Sequence, residues 1–459
     1  MPTNFSLEVN IIGQTKLERG LGLKEAAAIN MIDMVGIGPF IVIPLVIQDM
    51  NGPQALFAWI LGAMLAFADG FIWAELGAAM PEAGGSYVFL REIYGPKSWG
   101  RLFSFLFIWQ TIIQAPLVVA SGSIGFSQYL TYLVPLSPVG QKIVSGTVVI
   151  ILVILLYRKI QTIGKITILL WIGVIGTILW LIFGGVTHFN PHLAFDLPGD
   201  NFSFSFLFFA GLGTASVKTI YTYLGYYNVC HLGSEIKEPG KNIPRSIFIS
   251  ISGIAVLYLL MNLSVLGVVP WREAARSEFI MSTFIEKIYG SAAANFVTVL
   301  ILWIAFSSLF AVLLGYSRIP YAAAIDGSFF RVFGKVHPTK HFPYASLLIL
   351  GGFGFIFSLL FRLKDVISAI LAMRIIVQFI AQAAGIMIIH KSKPKEFFPY
   401  KMFLYPIPAL IAIVVWIGLF LSTGFYFALG GTGMMVLGTI IYLFRSYKKG
   451  DWPFTKRRG

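Results

Sequence analysis

Twelve long apolar runs, separated by short polar connections, constrain this chain more than any other feature. About 20 apolar residues in a helix are needed to cross the roughly 30 Å of hydrocarbon in a bilayer. The short alternating segments of a membrane β-barrel are absent from the sequence. We therefore predict an all-α membrane protein with twelve transmembrane helices. The ends of each helix are set by pattern alone to within a few residues, and the predicted spans cover residues 26–47, 55–80, 102–134, 143–157, 163–184, 204–232, 247–269, 292–314, 345–360, 366–389, 402–421 and 425–443.

The low content of charged residues also favours a membrane protein. Charged residues make up 12% of the chain, against about 25% in a soluble domain, whose surface needs charge. The net charge of +14 lies in short basic clusters between apolar runs, so it predicts a protein set in a lipid bilayer, with no nucleic-acid partner. A single cysteine, Cys230, excludes an intrachain disulfide and a cysteine-based zinc cluster. No phosphate-binding loop or nucleophile motif occurs, so neither an enzyme nor a bound cofactor or metal is expected.

The placement of Lys and Arg predicts the orientation. Of the 34 basic residues, 26 lie in the termini and connections of one side, six lie on the other side, and Lys218 and Arg374 lie inside spans. Positively charged connections favour the cytoplasm, so both termini of this cell-membrane protein are expected to be cytoplasmic. No removable signal peptide is expected, because no short apolar core with a cleavage site precedes the first span. The predicted divisions are a cytoplasmic tail at 1–24, a ten-helix core at 25–390, peripheral helices at 391–445 and a basic tail at 446–459.

Two of the spans are interrupted at matching positions. The first contains Gly36, Gly38 and Pro39 in mid-membrane, and the sixth, five spans later, is interrupted around Gly225. Glycine and proline weaken a helix, and unwound backbone at this depth survives only inside protein or beside a cavity. Alone, each interruption suits a kink or a packing glycine. As a matched pair they predict a transporter built from two inverted repeats, with its site at the breaks. The repeats are predicted at about 25–184 and 204–390.

The chemistry of such breaks suits a zwitterion. Free N–H groups at the start of the outer half of the first helix can hold a carboxylate, and carbonyls where the sixth helix stops can accept from an ammonium group. Tyr226 could hold a cation or an apolar side chain, or simply pack. Gln114, four residues after Gln110 and on the same face, could line the pathway or bond a neighbouring helix. The expected substrate-binding residues are Val35, Gly36, Ile37, Gly38, Tyr223, Leu224, Gly225, Tyr226 and Gln114.

Four stretches, in order along the chain, resemble the amino acid–polyamine–organocation superfamily of transporters. The first resembles that family's Gly-x-Gly-Ile-Phe segment, the second its loop between helices two and three, the third its sixth helix and following loop, and the fourth the end of its eighth helix. The stretches are Gly-Ile-Gly-Pro-Phe at 36–40, Pro-Glu-Ala-Gly-Gly-Ser-Tyr at 81–87 with Tyr-Gly-Pro at 94–96, Gly-Tyr-Tyr-Asn at 225–228 with the segments 233–239 and 242–245, and Ser-Arg-Ile-Pro-Tyr-Ala-Ala-Ala-Ile-Asp-Gly at 317–327.

The resemblance implies ten core helices in a five-plus-five inverted repeat, with helices one and six unwound, plus two peripheral helices. It also implies alternating access and an amino acid substrate, with polyamines as the main variant. Pro39 stands where the family often has Ile, which puts the carboxylate contact in question. Some relatives join a glycoprotein through a cysteine in the third outer loop; Cys230 lies in the sixth span, so no disulfide-linked heavy subunit is expected.

Charges inside spans are costly, so each invites a hypothesis. By resemblance, Lys165 matches a lysine that proton-coupled relatives carry beside the unwound first helix; otherwise it anchors to headgroups. Asp33 could pair with Lys165 or carry the coupled proton, or it could neutralise Arg374 or cap unwound backbone. Ser307 and Ser308 match hydroxyls that ligate sodium in sodium-coupled relatives, although serine pairs also serve helix packing. Lys165 and Asp33 are the expected coupling residues, and we favour proton coupling or exchange over sodium.

Glu235 and Arg318 follow the sixth and eighth spans on the predicted inner side. They could form a cytoplasmic gate or an ordinary loop salt bridge. A polyamine, which has several ammonium groups, would require acidic residues along the cavity, and Asp33 and Asp69 are the candidates. A nutrient receptor with the transporter fold would be expected to carry soluble extensions, yet only about 25 and about 15 residues lie outside the spans at the two ends. The sequence therefore favours a secondary transporter of amino acids or related amines.

Overall fold

The computed structural model describes residues 17–197, 204–360 and 366–454, without the side chains of 366–369. The predicted tail residues 1–16 and 455–459 lie outside these ranges, as do the basic residues Arg362 and Lys364. In the described parts the chain forms helices and no strands, with two isolated β-bridges. The helices of the first half are α1 Leu23–Met34, α2 Gly38–Met50, α3 Ala55–Ala79, α4 Ser86–Ile93, α5 Trp99–Leu130, α6 Pro138–Leu156, α7 Ile160–Thr187, α8 Pro191–Ala194, α9 Phe206–Tyr223 and α10 Asn228–His231.

The second half adds ten helices and a π-helical segment, Ile375–Ala381, which joins α17 to α18. The helices are α11 Pro239–Leu266, α12 Trp271–Ala274, α13 Ile280–Tyr289, α14 Ser291–Tyr316, α15 Arg318–Ile325, α16 Tyr344–Leu360, α17 Val366–Arg374, α18 Gln382–Ser392, α19 Ile407–Ser422 and α20 Phe425–Lys449.

Several of these helices are long and apolar enough to cross a membrane, as a multi-pass protein requires. Within the described residues, eight pass that test, and α1 with α2, bent by 45° at their junction, makes a ninth. The other three predicted spans coincide with α9, which carries Lys218, and with the shorter apolar helices α16 and α19. The count of twelve therefore remains a prediction, because these three helices fall short in length or apolarity.

A stripe of small residues on α3 lets helices approach closely at the centre of the molecule. Residues four apart share one helix face, and small side chains there allow backbones to meet in lipid. A Cβ atom added at Gly62 would lie 2.8 Å from the ring of Tyr223 on α9, and one added at Gly70 would lie 2.6 Å from Ile251 on α11. The stripe consists of the buried residues Ala58, Gly62, Ala66, Gly70 and Ala74.

The interrupted helices occupy the interior, and uninterrupted helices surround them. The α1–α2 pair packs against α7, α9, α11 and α14, and α9 packs also against α3. The outer faces of α6, α7 and α20 expose large apolar side chains such as Ile150, Leu169 and Val436. Exposed apolar surface of this extent matches a lipid environment. Any polar group at the centre is therefore shielded from lipid by a shell of helices.

Candidate functional site

The first break separates α1 from α2 at Val35–Ile37. Pro39 lies in the first turn of α2, where its missing N–H costs no helical hydrogen bond and its fixed φ suits the helix. Pro39 therefore favours the start of α2 at this point and does not disrupt the helix. No acceptor in the described chain takes the N–H groups of Ile37, Gly38 or Phe40. The positive end of α2 therefore presents free donors.

The second break follows α9. That helix ends at Tyr223, and the chain then turns through Leu224–Tyr227 before the four residues of α10. Gly225 has a φ of +124°, in a region that L residues rarely adopt. No donor among the described residues reaches the carbonyls of Tyr223 and Leu224. The end of α9 therefore presents free acceptors.

The two breaks touch each other. A Cβ atom added at Gly225 would lie 2.7 Å from the amide nitrogen of Met34 and 2.9 Å from the carbonyl carbon of Asp33. The Tyr258 hydroxyl lies 2.7 Å from the carbonyl oxygen of Met34 and 3.3 Å from that of Thr222, so one side chain on α11 clasps both broken helices. The end of α1 and the break after α9 are therefore held in contact.

A cavity of about 70 Å³ lies at this junction, with room for several water-sized molecules. Among the expected site residues, Gly36, Ile37, Gly38, Leu224 and Gly225 line it, together with Asp33. Its other walls come from α5, the end of α9 and the break after it, α14, and the far end of α17. Those further lining residues include Val118, Gly122, Tyr221, Tyr227, Ser308, Tyr316 and Arg374.

Arg374 was not among the residues expected at the site, yet it lines the cavity. It is buried, and its Nε donates to Oε1 of Gln378 at 2.9 Å. Its Nη2 donates to the Tyr227 hydroxyl, and its guanidinium lies 5.4 to 5.9 Å from the ring centroids of Tyr227, Phe379 and Tyr316. No acceptor in the described chain takes Nη1. The sequence signal for this residue was an ionisable group deep in a span.

The π-helical segment that starts just after Arg374 sets the direction of this side chain. Such segments are rare and are frequent at functional sites. Gln378, inside that segment, orients the guanidinium through Nε. The next residue, Phe379, stacks on Trp416 of α19 with ring centroids 4.0 Å apart. The π-helical segment contacts the Arg374 guanidinium, and α19 packs against that segment. These two elements therefore hold the guanidinium in position.

Asp33 faces the same cavity from the end of α1. Its backbone carbonyl accepts from the Ser308 hydroxyl at 3.3 Å. In the described residues, no Lys, Arg or His nitrogen comes within 4.0 Å of its carboxylate, and Arg374 likewise has no carboxylate within that distance. A carboxylate and a guanidinium thus line one cavity without forming an ion pair. Such a site can bind a ligand that carries both charges.

Three of the expected binding residues lie behind the cavity wall. Val35 is buried in the core, and the Tyr223 ring packs edge-on against Trp59 and Tyr258. Gln114 reaches the cavity only through Tyr316, whose hydroxyl accepts from Nε2 of Gln114 at 3.3 Å.

Tyr226, the fourth, turns away from the cavity toward Asp69. Oδ2 of Asp69 accepts from the Tyr226 hydroxyl and from Nε1 of Trp73, and Oδ1 accepts from Nε1 of Trp416 at 3.4 Å. This carboxylate, a candidate ligand for a polyamine, is buried and already accepts from three donors. It connects α3, the second break and α19.

Lys165 lies on α7 with an exposed side chain and does not line the cavity. Inside the same helix, the buried side chains of Thr167 and Leu170 and the half-buried Trp171 face the core. Nε1 of Trp171 donates to the sulfur of Met31 on α1 at 3.1 Å. Trp171 therefore contacts the first broken helix from the buried face of α7.

Glu235 and Arg318 form a bidentate ion pair. Nε and Nη2 of Arg318 each lie 2.7 Å from a carboxylate oxygen of Glu235, and the two side chains are 1% and 0% exposed. The Glu235 carbonyl accepts from the N–H groups of Gly20 and Leu21, both at 3.0 Å. The segment that precedes α1 is therefore fastened to the loop after α10.

Sequence comparisons agree with this architecture. The profile of a family described as amino acid permease matches residues 21–444. The serine/threonine exchanger SteT of Bacillus subtilis (strain 168) is 26% identical over 420 residues, which is 91% of each chain. The Asc-type amino acid transporter 1 of Mus musculus is 27% identical over 351 residues, 73% of this chain and 64% of the relative. The branched-chain amino acid permease BcaP of Bacillus subtilis (strain 168) is 22% identical over 455 residues, 95% of each.

Proposed function

The chain belongs to the amino acid permease family, and on that premise we propose that it is a secondary active transporter, which moves amino acids across the cell membrane by alternating access. The observation that carries the proposal is the contact between the two breaks. Ile37 and Gly38, which have free N–H groups, and Leu224, which has a free carbonyl, line one cavity. The inverted repeats at about 25–184 and 204–390 and the cytoplasmic termini belong to the same proposal.

The two breaks suit the two charges of an amino acid. Its carboxylate would take the N–H groups of Ile37 and Gly38, where the dipole of α2 is positive. Its ammonium group would donate to the carbonyl of Leu224, a residue that lines the cavity. Both sets of backbone groups are unpaired in the described chain, and unpaired buried backbone groups are costly. A bound zwitterion would remove that cost at both breaks at once.

The fixed charges favour an amino acid over a polyamine. Arg374 places a guanidinium on the cavity wall, and among the described residues that line the cavity Asp33 is the one carboxylate that balances it. Asp69, the second acid that a polyamine would need, is occupied by three donors. A polycation would be repelled by Arg374 with too little carboxylate to compensate, whereas a neutral zwitterion leaves the cavity balanced.

The lining of the cavity favours a small polar substrate. Tyr221, Ser308 and Tyr316, each of which carries a hydroxyl group, are among its lining residues. The name of the relative SteT describes a serine/threonine exchanger. Serine and threonine are therefore the substrates we propose first, taken up with a proton or by exchange.

Asp33 is the residue to which we assign proton coupling. It lines the cavity, and its carboxylate lacks a basic partner in the described chain. The exposed position of Lys165 gives no support to a coupling role for that residue. Alternating access also requires the inner end to open, and we assign that gate to Glu235 and Arg318, whose separation would release the segment before α1 from the loop after α10.

Uptake by the purified protein in liposomes tests the proposal. Labelled serine, threonine, leucine, glutamate, arginine and a polyamine would be offered with a proton gradient, with a sodium gradient and with internal amino acid for exchange. The Gly225→Ala variant should lose transport, because its Cβ would collide with Asp33 and Met34. Gly418→Ala, whose Cβ meets nothing within 4 Å, should keep it.

Three results would separate the alternatives. Uptake of the polyamine in preference to every amino acid would overturn the substrate assignment. Binding of an amino acid without uptake or exchange would favour a receptor. Full activity of Gly225→Ala would show that transport does not use the contact between the breaks.

A further inference from the structure

A second cavity shares no lining residue with the central cavity. It is a groove of about 480 Å³ between the start of α11 and the segment that leads to α19. We call it the α11 groove. Its walls are formed by Lys241, Arg245, Phe248, Ile249, Pro399 and Tyr400.

The mouth of the α11 groove is basic. Lys241 and Arg245, one helical turn apart, are both exposed. Nζ of Lys241 lies 3.5 Å from the carboxylate of Glu238, which is itself largely exposed. Arg245 has no carboxylate within 4.0 Å and no hydrogen-bond acceptor in the described chain. The first turn of α11 adds the positive end of a long helix. The groove thus offers one wholly free guanidinium and a second cation to an anion.

Below the charges the groove is apolar and aromatic. Phe248 packs between Phe71 and Tyr400, with ring centroids 4.8 and 6.0 Å away. Ile249, one turn below Arg245, is 47% exposed. A soluble anion such as free phosphate would leave these apolar side chains uncovered, whereas a molecule with an anionic head and an apolar tail would cover them.

The exposed face of α11 continues this floor toward the middle of the membrane. Ile249, Val256 and Leu260 follow at helical spacing on one side and are 47%, 57% and 41% exposed. At 1.5 Å per residue they extend over about 16 Å, close to half of the roughly 30 Å hydrocarbon layer. The stripe therefore has the length of one acyl chain in one leaflet.

We propose that the α11 groove binds an anionic phospholipid. Its phosphate lies between Lys241 and Arg245, and one acyl chain follows Ile249, Val256 and Leu260. Basic pockets between membrane helices bind anionic head groups by the same chemistry. Bound in this way, the lipid joins α11 to the segment before α19, and this site is independent of which substrate the central cavity takes.

Native mass spectrometry of the purified full-length chain tests the proposal. Phosphatidylglycerol and phosphatidylcholine with identical acyl chains would be titrated, and glycerol 3-phosphate would be added as the soluble competitor. The Lys241→Gln/Arg245→Gln variant should bind phosphatidylglycerol at least about tenfold more weakly, since each basic residue near anionic lipid contributes on the order of 1 kcal/mol. The matched control is Lys335→Gln/Lys391→Gln, which removes the same charge from exposed side chains outside the groove, and it should lose less than about twofold.

Three other outcomes would contradict the proposal. Equal binding of the two lipids by the unmodified protein would overturn it without any variant. An equal loss in the control variant would show that net charge alone attracts the lipid. Full competition by glycerol 3-phosphate would assign the groove to a soluble phosphate. If the double variant fails to fold, the comparison of the two lipids and the competitor still decides.

Discussion

Two acid–arginine pairs in this protein have the same chemistry and opposite geometry. Glu235 and Arg318, the closed pair, meet in a bidentate contact with two distances of 2.7 Å. Asp33 and Arg374, the open pair, line one cavity without an ion pair between them. Both arginines are buried. The same two side-chain types therefore complete each other in one place and remain available to a ligand in the other.

The remaining donors of the two arginines explain the difference. Nη1 of Arg318 donates to the Leu314 carbonyl at 3.2 Å and to the Ser317 hydroxyl at 2.9 Å, so every nitrogen of this guanidinium has a partner. Arg374 has only neutral partners, Gln378 and Tyr227, and aromatic ring faces. A buried charge that lacks a direct counter-ion is costly to the fold, and we interpret that cost at Arg374 as a requirement of substrate binding.

The largest effect is expected from breaking the closed pair. Arg318→Met leaves the Glu235 carboxylate buried without a partner, which should lower the free energy of unfolding by about 3–5 kcal/mol. Adding Glu235→Gln should restore part of that loss, because no uncompensated charge then remains. Thermal unfolding in detergent, arranged as a double-mutant cycle, measures the coupling. Strictly additive effects would mean that the two side chains do not depend on each other.

Substitution of Arg374, in the open pair, should weaken substrate binding more than it lowers stability. Arg374→Gln removes a guanidinium whose Nη1 has no acceptor in the described chain and is therefore available to a substrate. Such a contact is worth about 1.5–3 kcal/mol, so KM for serine should rise about tenfold to a hundredfold. The melting temperature should fall less than in Arg318→Met. Arg101→Gln, at an exposed residue paired with Asp451, is the control and should keep its KM. An unchanged KM in Arg374→Gln would remove this arginine from the site.

Asp33→Asn tests the other half of the open pair. If this carboxylate carries the coupled proton, a pH gradient of one unit, acidic outside, supplies about 1.4 kcal/mol and supports about tenfold accumulation of serine. The variant should lose that accumulation and keep exchange of serine for serine. Measurement of both activities in the same liposomes separates coupling from binding. Accumulation that still follows the pH gradient would exclude Asp33 as the proton carrier.

The smallest effect is expected at Tyr258, where neutral hydrogen bonds hold the cavity together. Tyr258→Phe removes the hydroxyl that contacts Met34 and Thr222, at a cost of about 1 kcal/mol. The matched control is Tyr289→Phe, at a partly exposed ring whose hydroxyl has no hydrogen bond in the described chain. A fall in melting temperature confined to Tyr258→Phe would show that the clasp stabilises the junction; equal melting temperatures would contradict it.

Local sequence was enough for the all-α class and for the two breaks. Runs of apolar residues specify spans because each backbone group in a membrane helix is satisfied within its own segment. Pro39 fixes its own φ and Gly225 adopts a positive φ. The breaks at 35–37 and after Tyr223 therefore lie at the predicted interruptions. The family resemblance was confirmed by the profile that covers residues 21–444.

Which side chains reach the cavity was decided only by tertiary structure. Arg374 reaches it because a π-helical segment and Gln378 turn it inward, Tyr226 turns away because Asp69 accepts its hydroxyl, and Lys165 is exposed on α7. A residue's type and its depth in a span can be read from the chain, but the side of the helix that faces the centre depends on neighbours hundreds of residues away. Helix rotation is set by that packing, and no local pattern contains it.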